Sequence, residues 1–202
     1  MDKFLASCTA IDFETSSEIA ALTRKILACS DGEIEFAKNA FEYVRDEIAH
    51  AGDVGASVVT FAASEVLRER HGVCYAKSHL LAAILRCGGV PSGLCYQKLI
   101  LCDETAPQFI LHGLNAVFLR GKWHRLDARG NKPGVDAQFS LGEERLAFPV
   151  RPEKGEEDLP GIFAAPDKSI FFALSRNKNI EELWRNLPKE LLGDANRAHC
   201  VG

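Results

Sequence analysis

Several features that would assign this chain to a special class of protein are missing from its sequence. No apolar run approaches the ~20 residues that a membrane-spanning helix needs. Residues 1–8 lack the apolar core of a secretory signal peptide, so we expect a cytoplasmic protein with no membrane partner. No Cys-x-x-Cys pair is present, so we expect no metal site. The formal net charge of −4 at pH 7 argues against a nucleic-acid partner, because proteins that bind nucleic acids are usually basic.

What is present is the composition of an ordinary globular protein. Hydrophobic residues make up 47% of the 202 residues and charged residues 26%, which excludes a disordered chain or a coiled coil. We predict a single domain over residues 1–202, with a helical part at 1–70, a core that carries the candidate site at 71–150, and a loop with a C-terminal helix at 151–202. The segment 151–168 is rich in proline, glycine and acidic residues. We expect it to be a surface loop, and a role in gating a cleft is the alternative.

The cysteines are odd in number and scattered along the chain, which is typical of free thiols in a reducing compartment. The seven are Cys8, Cys29, Cys74, Cys87, Cys95, Cys102 and Cys200. A cysteine is by default a small buried hydrophobic residue. A reactive one therefore has to be identified from its neighbours.

Hydrophobic periodicity predicts helices in the first half of the chain and strands in the middle. Ser16 is the expected N-cap of a first helix near 17–27, and further helices are expected at 34–48, 62–67 and 74–87. Asn179 is the expected N-cap of a last helix. Between these helices the period changes to that of strands at 94–101, 111–119 and 123–127, with a hairpin turn at 120–122.

Three segments carry the candidate chemistry: Gly72-Val73-Cys74, Leu111-His112-Gly113 and Trp123-His124-Arg125-Leu126-Asp127. Cys74 lies at the first turn of a helix, and the partial positive charge there favours the thiolate, the nucleophilic form of cysteine. The imidazole of His112 titrates in the range needed to move protons. The carboxylate of Asp127 can fix which ring nitrogen carries the proton.

The hairpin geometry predicts that His112 and Asp127 lie on one face of the sheet. If Leu119 pairs with Lys122 across the turn, then Leu114 faces Asp127. His112 becomes the diagonal neighbour of Asp127, about 7–8 Å away at the backbone and within side-chain reach. A three-residue loop without a bulge would put the two on opposite faces.

With these motifs, the sequence resembles the transglutaminase-like superfamily. That family's nucleophile helix is similar to residues 67–89, with Gly72-Val73-Cys74 before an alanine-rich helix and Arg86-Cys87-Gly88-Gly89-Val90-Pro91 after it. Its histidine strand and its Trp-x-x-x-Asp strand are similar to the other two segments. The resemblance covers roughly residues 35–130. It implies an α+β, papain-like core in which helices pack on an antiparallel sheet and Cys74 stands at the N-terminus of the central helix.

The resemblance also implies a function. Cys74 is expected to attack a carbonyl, with His112 as base and acid and Asp127 orienting the imidazole, and no cofactor is required. The expected activity is thiol-dependent acyl transfer or hydrolysis of a peptide, isopeptide or glutamine amide. The alternatives are an arylamine-type N-acetyltransferase that uses the same triad, and a catalytically silent papain-like binding module.

The donors to an oxyanion are less well defined by the sequence. The backbone N–H of Cys74 is one expected donor. His50 stands where relatives often carry tyrosine, and it is a candidate second donor, with a structural loop histidine as the alternative. The chain also departs from the family's pattern, because Gly113 follows the histidine where an aromatic residue is common.

Cations cluster in sequence around Asp127. They are Arg120, Lys122, Arg125, Arg129 and Lys132. Such a cluster is usually a solvated face. The alternatives are that it attracts an acidic substrate or that Arg129 keeps Asp127 ionised.

Overall fold

The computed structural model describes residues 1–101, 107–193 and 197–198. Cys102 and Cys200 lie outside the described residues, and the other five cysteines are present as thiols. None of the described helices is both long and apolar enough to cross a membrane. The α-helices of the described part are α1 (Ser17–Ala28), α2 (Glu33–Glu47), α3 (Ala63–Glu69), α4 (Cys74–Cys87), α5 (Lys168–Arg176) and α6 (Ile180–Arg185).

The strands form one antiparallel sheet and one short parallel pair. They are β1 (Ala49–His50), β2 (His71–Gly72), β3 (Ser92–Leu101), β4 (Gln108–Leu119), β5 (Lys122–Leu126), β6 (Glu157–Asp158), β7 (Ile162–Phe163) and β8 (Arg197–Ala198). The sheet has the order β5-β4-β3-β7-β8, and β6 also pairs with β3. β1 and β2 pair separately, in parallel. The predicted α+β fold with an antiparallel sheet is confirmed.

Helix α4 is the central helix of the fold. Every residue from Tyr75 to Arg86 is buried, because α4 packs against α1, α2, α3, β3 and β4. The small side chains of Ala76, Ala82 and Ala83 let these neighbours approach closely. Cys74 therefore stands at the N-terminal end of a helix that is enclosed along the rest of its length.

The hairpin of β4 and β5 has the register that the sequence predicts. Leu119 pairs with Lys122, and Asn115 pairs with Leu126. The two turn residues, Arg120 and Gly121, have φ values of 51° and 79°. Positive φ at both central positions matches the right-handed twist of a hairpin. The register brings the residue after Leu126, which is Asp127, beside β4.

Side-chain caps begin three of the six described α-helices. The side chain of Ser16 accepts from the N–H of Ile19 at the start of α1, and Asn179 caps α6, both as predicted. The sequence analysis missed α5, although Asp167 caps it through the N–H of Ser169. Asp167 is the signal that would have located this helix.

The segment 151–168 is more than a surface loop. β6 and β7 add to the sheet by pairing with β3. Glu156 and Phe163 are buried within the segment. The polar composition hid these short strands, because two-residue strands are too brief to show an alternating pattern.

Candidate active site

The position of Cys74 is set by the short strand pair in front of it. His50 on β1 pairs with Gly72 on β2, two residues before the cysteine. Val73 is the N-cap of α4 and Cys74 is its first residue, so the backbone N–H of Cys74 has no partner within the helix. The cysteine is partly exposed. Its sulfur and its N–H are therefore available to the same bound group.

His112 and Asp127 form a buried hydrogen-bonded pair. The distance from Nε2 of His112 to Oδ2 of Asp127 is 2.8 Å, and the two residues are 3% and 1% exposed. Oδ2 also accepts from the N–H of Ala147 at 3.1 Å, and Oδ1 accepts from the N–H of Arg129 at 3.1 Å. These three donors hold the carboxylate in place. Arg129 acts on Asp127 through its main chain, whereas its guanidinium binds elsewhere.

The charges of the pair follow from these contacts. Burial would lower the pKa of His112, but the charges of Asp127 and Cys74 and hydrogen bonds to both side chains raise it above its ordinary value. Burial would raise the pKa of Asp127, but the charge of His112 and the three hydrogen bonds lower it. Asp127 is therefore a carboxylate at neutral pH, and His112 is able to hold a proton beside the sulfur.

The thiol is held against the histidine strand. Cys74 and His112 line the same pocket, and Cys74 is one of the groups that raise the pKa of His112. Since Nε2 is bound to Asp127, Nδ1 is the ring nitrogen left for the sulfur. The N–H of Gly113 donates to Sγ at 3.5 Å. A Cβ on Gly113 would lie 2.7 Å from Cδ1 of Tyr75. The strand can approach the helix this closely because the residue after His112 is glycine.

His50 lies in the same pocket as a neutral imidazole. Burial and the charge of Arg129 together lower its pKa to about 3. Its Nδ1 accepts from the N–H of Gly52 at 3.3 Å, which leaves the proton on Nε2. The ring packs against Trp184, with 6.3 Å between centroids. His50 thus has an N–H donor to offer, and it lines the pocket that contains Cys74.

Two adjoining pockets form a cleft over the candidate triad. The pocket of about 270 Å³ holds Cys74, together with His50 and Trp184 on one wall. The second, of about 360 Å³, extends along β3 and reaches Arg151 and Glu156. Part of the segment 151–168 therefore lines the cleft. The residues common to both pockets are Leu101, Ile110, His112 and Phe148.

The structure brings together all four residues that the sequence proposed for the site: Cys74, His112, Asp127 and His50. Asp53 and Trp184 also line the pocket, and sequence reasoning missed both. Asp53 lies in a glycine-rich loop and Trp184 on the last described helix, so no local pattern connects either one to Cys74. The described residues hold no group of three His, Cys, Asp or Glu side chains placed to bind a metal.

A papain-like thiol-enzyme fold is defined by these elements: a cysteine that begins the central helix, and a histidine and an acidic residue on the adjoining sheet. A family model described as the transglutaminase-like superfamily matches residues 20–128. The chain belongs to this superfamily. The match begins earlier than the motifs alone indicated, because it includes α1.

One solved structure shares this fold over part of its length. A protein described as a "Putative Cysteine Protease" from Cytophaga hutchinsonii superposes with a TM-score of 0.51 and 18% identity, over 62% of this chain and 40% of that one. A structure described as a TGase gives a TM-score of 0.39 and 21% identity, over 61% of this chain and 35% of that one. This chain thus matches less than half of the length of either protein. A search of the curated proteins found no match.

Proposed function

We propose that this protein catalyses thiol-dependent acyl transfer or hydrolysis of a peptide, isopeptide or glutamine amide. The observation that carries the proposal is the buried hydrogen bond between His112 and Asp127, with Cys74 in the same pocket as that imidazole and its sulfur bound by the N–H of Gly113, the residue after His112. Family membership supports the same class of chemistry. The proposed partner is a peptide or protein amide, with neither nucleic acid nor membrane involved, and the cytoplasm stays the predicted location.

The proposed reaction begins at the sulfur. The thiolate of Cys74 attacks the carbonyl carbon, a C–S bond forms, and the carbonyl electron pair moves onto oxygen. The backbone N–H of Cys74 and the Nε2–H of His50 donate to that oxyanion. The tetrahedral intermediate collapses as His112 gives its proton to the leaving nitrogen. The products of this half-reaction are a free amine and a thioester on Cys74.

The second half-reaction returns the enzyme to its starting state. His112, now neutral, takes a proton from water or from an acceptor amine, which attacks the thioester carbonyl. Water yields an acid and an amine yields a new amide, and in both cases the thiol is released. We propose water as the main acceptor, because the sequence has no D-x-D-x-D-G calcium loop of the kind expected in a calcium-activated cross-linking enzyme.

Selective alkylation tests the activated thiol. Cys74 is expected to react with iodoacetamide at pH 7 on the order of 10²-fold faster than exposed Cys29, measured by mass spectrometry of both peptides in one sample. His112→Ala should remove this advantage. Equal rates at Cys74 and Cys29 in the wild-type protein would refute the proposed activation.

An activated peptide ester tests acyl transfer itself. A nitrophenyl peptide ester should release a burst of about one nitrophenol per protein, with the acyl group located on Cys74. Cys74→Ala should give no burst. Cys74→Ala and His112→Ala together should cost scarcely more than either alone, since the two act as a unit. Additive losses would contradict the shared mechanism.

The role of His50 is tested by His50→Phe, which keeps a ring against Trp184 and removes the N–H. Acylation should slow by about 10²-fold, the usual effect of losing one oxyanion donor. Alkylation by iodoacetamide forms no oxyanion, so the alkylation rate of Cys74 should change far less in this variant. Equal losses in both reactions would mean that His50 has a structural role only.

A further inference from the structure

One end of the pocket that holds Cys74 carries more positive than negative charge. Nη1 and Nη2 of Arg129 bind the two carboxylate oxygens of Asp53 at 2.5 and 3.0 Å. Nζ of Lys132 binds Oδ1 of the same carboxylate at 2.6 Å. All three residues line the pocket beside the thiol. Two cations share one carboxylate, so one positive charge remains at this end.

The cationic end is held firmly in relation to the sulfur. The side chain of Arg129 is only 7% exposed, and its guanidinium carbon lies 6.0 Å from the ring centre of Phe148. Its backbone N–H binds Asp127. The side chain of Lys132 is 43% exposed, so it can turn donors towards an incoming group. Partial burial makes such charges act more strongly than they would in water.

Asp53 remains ionised and does not neutralise this end by taking up a proton. Burial would raise its pKa, but hydrogen bonds from Arg129 and Lys132 and their charges lower it to about 2. His50 is neutral at the same end, because its own pKa is far below 7. The excess of one positive charge therefore persists throughout the neutral range.

Arg125 belongs to the same cluster of cations in the sequence, but it does not contribute to this end of the pocket. Arg125 binds Glu144 and Asp158, at 2.5 and 2.6 Å, and it lines a separate pocket. Tertiary structure thus divides the sequence cluster. Arg129 and Lys132 line the pocket that holds the thiol, whereas Arg125 is neutralised by Glu144 and Asp158.

We propose that Arg129 and Lys132 form a carboxylate subsite, so that the acyl donor is a peptide amide with a carboxylate close to its reacting carbonyl. This inference rests on the proposed thiol chemistry. The carboxylate is either an Asp or Glu side chain or a C-terminal carboxyl group, and it competes with Asp53 for the two cations. The apolar arm of the cleft, with Leu99, Leu101 and Ile110, fits an apolar group on the same substrate.

The charge of the subsite can be measured without knowing the substrate. Iodoacetate and iodoacetamide alkylate a thiolate by the same step, in which a C–S bond forms and iodide leaves, but only iodoacetate carries a carboxylate. The quantity to measure is the ratio of the iodoacetate rate to the iodoacetamide rate at Cys74. Comparing variants by this ratio cancels the contribution of His112, which is present in all of them.

Two substitutions should move the ratio in opposite directions. Lys132→Met should lower it by about tenfold, and Asp53→Asn should raise it by about tenfold, as expected for one charge in a cleft. Damage to the fold cannot produce both changes. Lys122→Met, the same substitution at the exposed first residue of β5, is the matched control and should leave the ratio as it is. A ratio that stays within about twofold in both test variants overturns the carboxylate subsite.

The same data separate this inference from the proposed function. If Cys74 reacts with iodoacetamide no faster than Cys29, the thiol activation fails, whatever the ratio. If Cys74 is fast and the ratio does not respond to Lys132→Met or Asp53→Asn, the subsite alone is wrong.

Small ligands distinguish the two sources of the carboxylate. N-acetylglutamate amide offers a side-chain carboxylate, N-acetylglutamine offers a C-terminal one, and N-acetylglutamine amide has no charge. One of the two acids should protect Cys74 from iodoacetamide more strongly than the other two compounds do. That acid identifies the source of the carboxylate. Protection of the same strength by all three compounds would overturn the proposal.

Discussion

Replacing Asp127 with asparagine tests the central pair, because the structure shows which contacts survive the change. The carboxylate accepts from Nε2–H of His112 and the N–H of Ala147 at Oδ2, and from the N–H of Arg129 at Oδ1. The carbonyl oxygen of asparagine can keep the Oδ2 position and both of its partners. Its amide nitrogen then faces the N–H of Arg129, so two donors meet in a buried site.

The loss of stability caused by Asp127→Asn can be estimated from these contacts. A buried donor without a partner costs about 1–3 kcal/mol, and removing one charge of a buried pair costs about 3–5 kcal/mol. Since asparagine keeps two of three hydrogen bonds, we expect the free energy of unfolding to fall by about 3 kcal/mol. The pKa of His112 should fall with the loss of the charge beside it. We therefore expect acylation at pH 7 to slow on the order of 10⁴-fold.

The difference in stability between the wild-type protein and Asp127→Asn should depend on pH. The folded pKa of Asp127 is lowered, so its contribution is present above the ordinary carboxylate pKa and is lost as the pH falls through the lowered value. The folded pKa of His112 is raised, so its contribution is complete below the ordinary histidine pKa and is lost as the pH rises through the raised value. The difference is therefore largest between about pH 4 and 6.5.

Urea denaturation from pH 3 to 9 measures the stability difference, and the ester burst measures acylation. Asp136→Asn is the matched control, because Asp136 forms an exposed ion pair with Arg145 and such pairs contribute little. If Asp127→Asn lost less than about 0.5 kcal/mol, or acylated within about tenfold of the wild-type rate, the carboxylate would not be what holds the imidazole.

Two further substitutions examine how the helix with the thiol is packed. Gly113→Ala should cost about 1–3 kcal/mol and slow alkylation of Cys74, because the new Cβ would lie 2.7 Å from Cδ1 of Tyr75. Thermal unfolding and alkylation measure both effects. Gly142→Ala is the control, because its new Cβ would make only an ordinary contact with Oγ of Ser140 at 3.9 Å. If both alanine variants behaved alike, the close approach at Gly113 would not matter. Burial lowers the pKa of Lys77 to about 7, so above pH 7 the unfolded state holds a proton on Lys77 that the folded state has lost. The contribution of Lys77 to stability should therefore rise above pH 7 by up to roughly 1.4 kcal/mol per pH unit, against the opposite trend from His112. In Lys77→Met this rise should be missing from urea denaturation curves between pH 7 and 10, and an identical pH slope in both proteins would contradict it.

Local patterns were enough to predict the elements that carry the candidate triad. The apolar face of α4, the glycine before Cys74 and the two-residue turn at Arg120 and Gly121 each act over a few residues. Strand side chains alternate with a period of two, so the turn alone fixed that His112 and Asp127 share a face. The register in the structure is the predicted one.

Two short strands and one helix were not predicted from the sequence. β6 and β7 have two residues each, too few to show alternation, and they exist because the edge of β3 offers them backbone partners. α5 has a clear cap in Asp167. Its buried residues Ile170, Ala173 and Leu174 also have helical spacing, so α5, unlike β6 and β7, carries a local signal in the sequence.

The sequence by itself determined which residues could be nucleophile, base and orienting acid, since a helix start, a strand and a hairpin are specified by nearby residues. Only tertiary structure decided what surrounds them. The pairing of Asp53 with Arg129 and Lys132, and the contact of His50 with Trp184, join segments far apart in the chain. Such contacts depend on how whole helices and strands pack, and no periodicity within one segment encodes them.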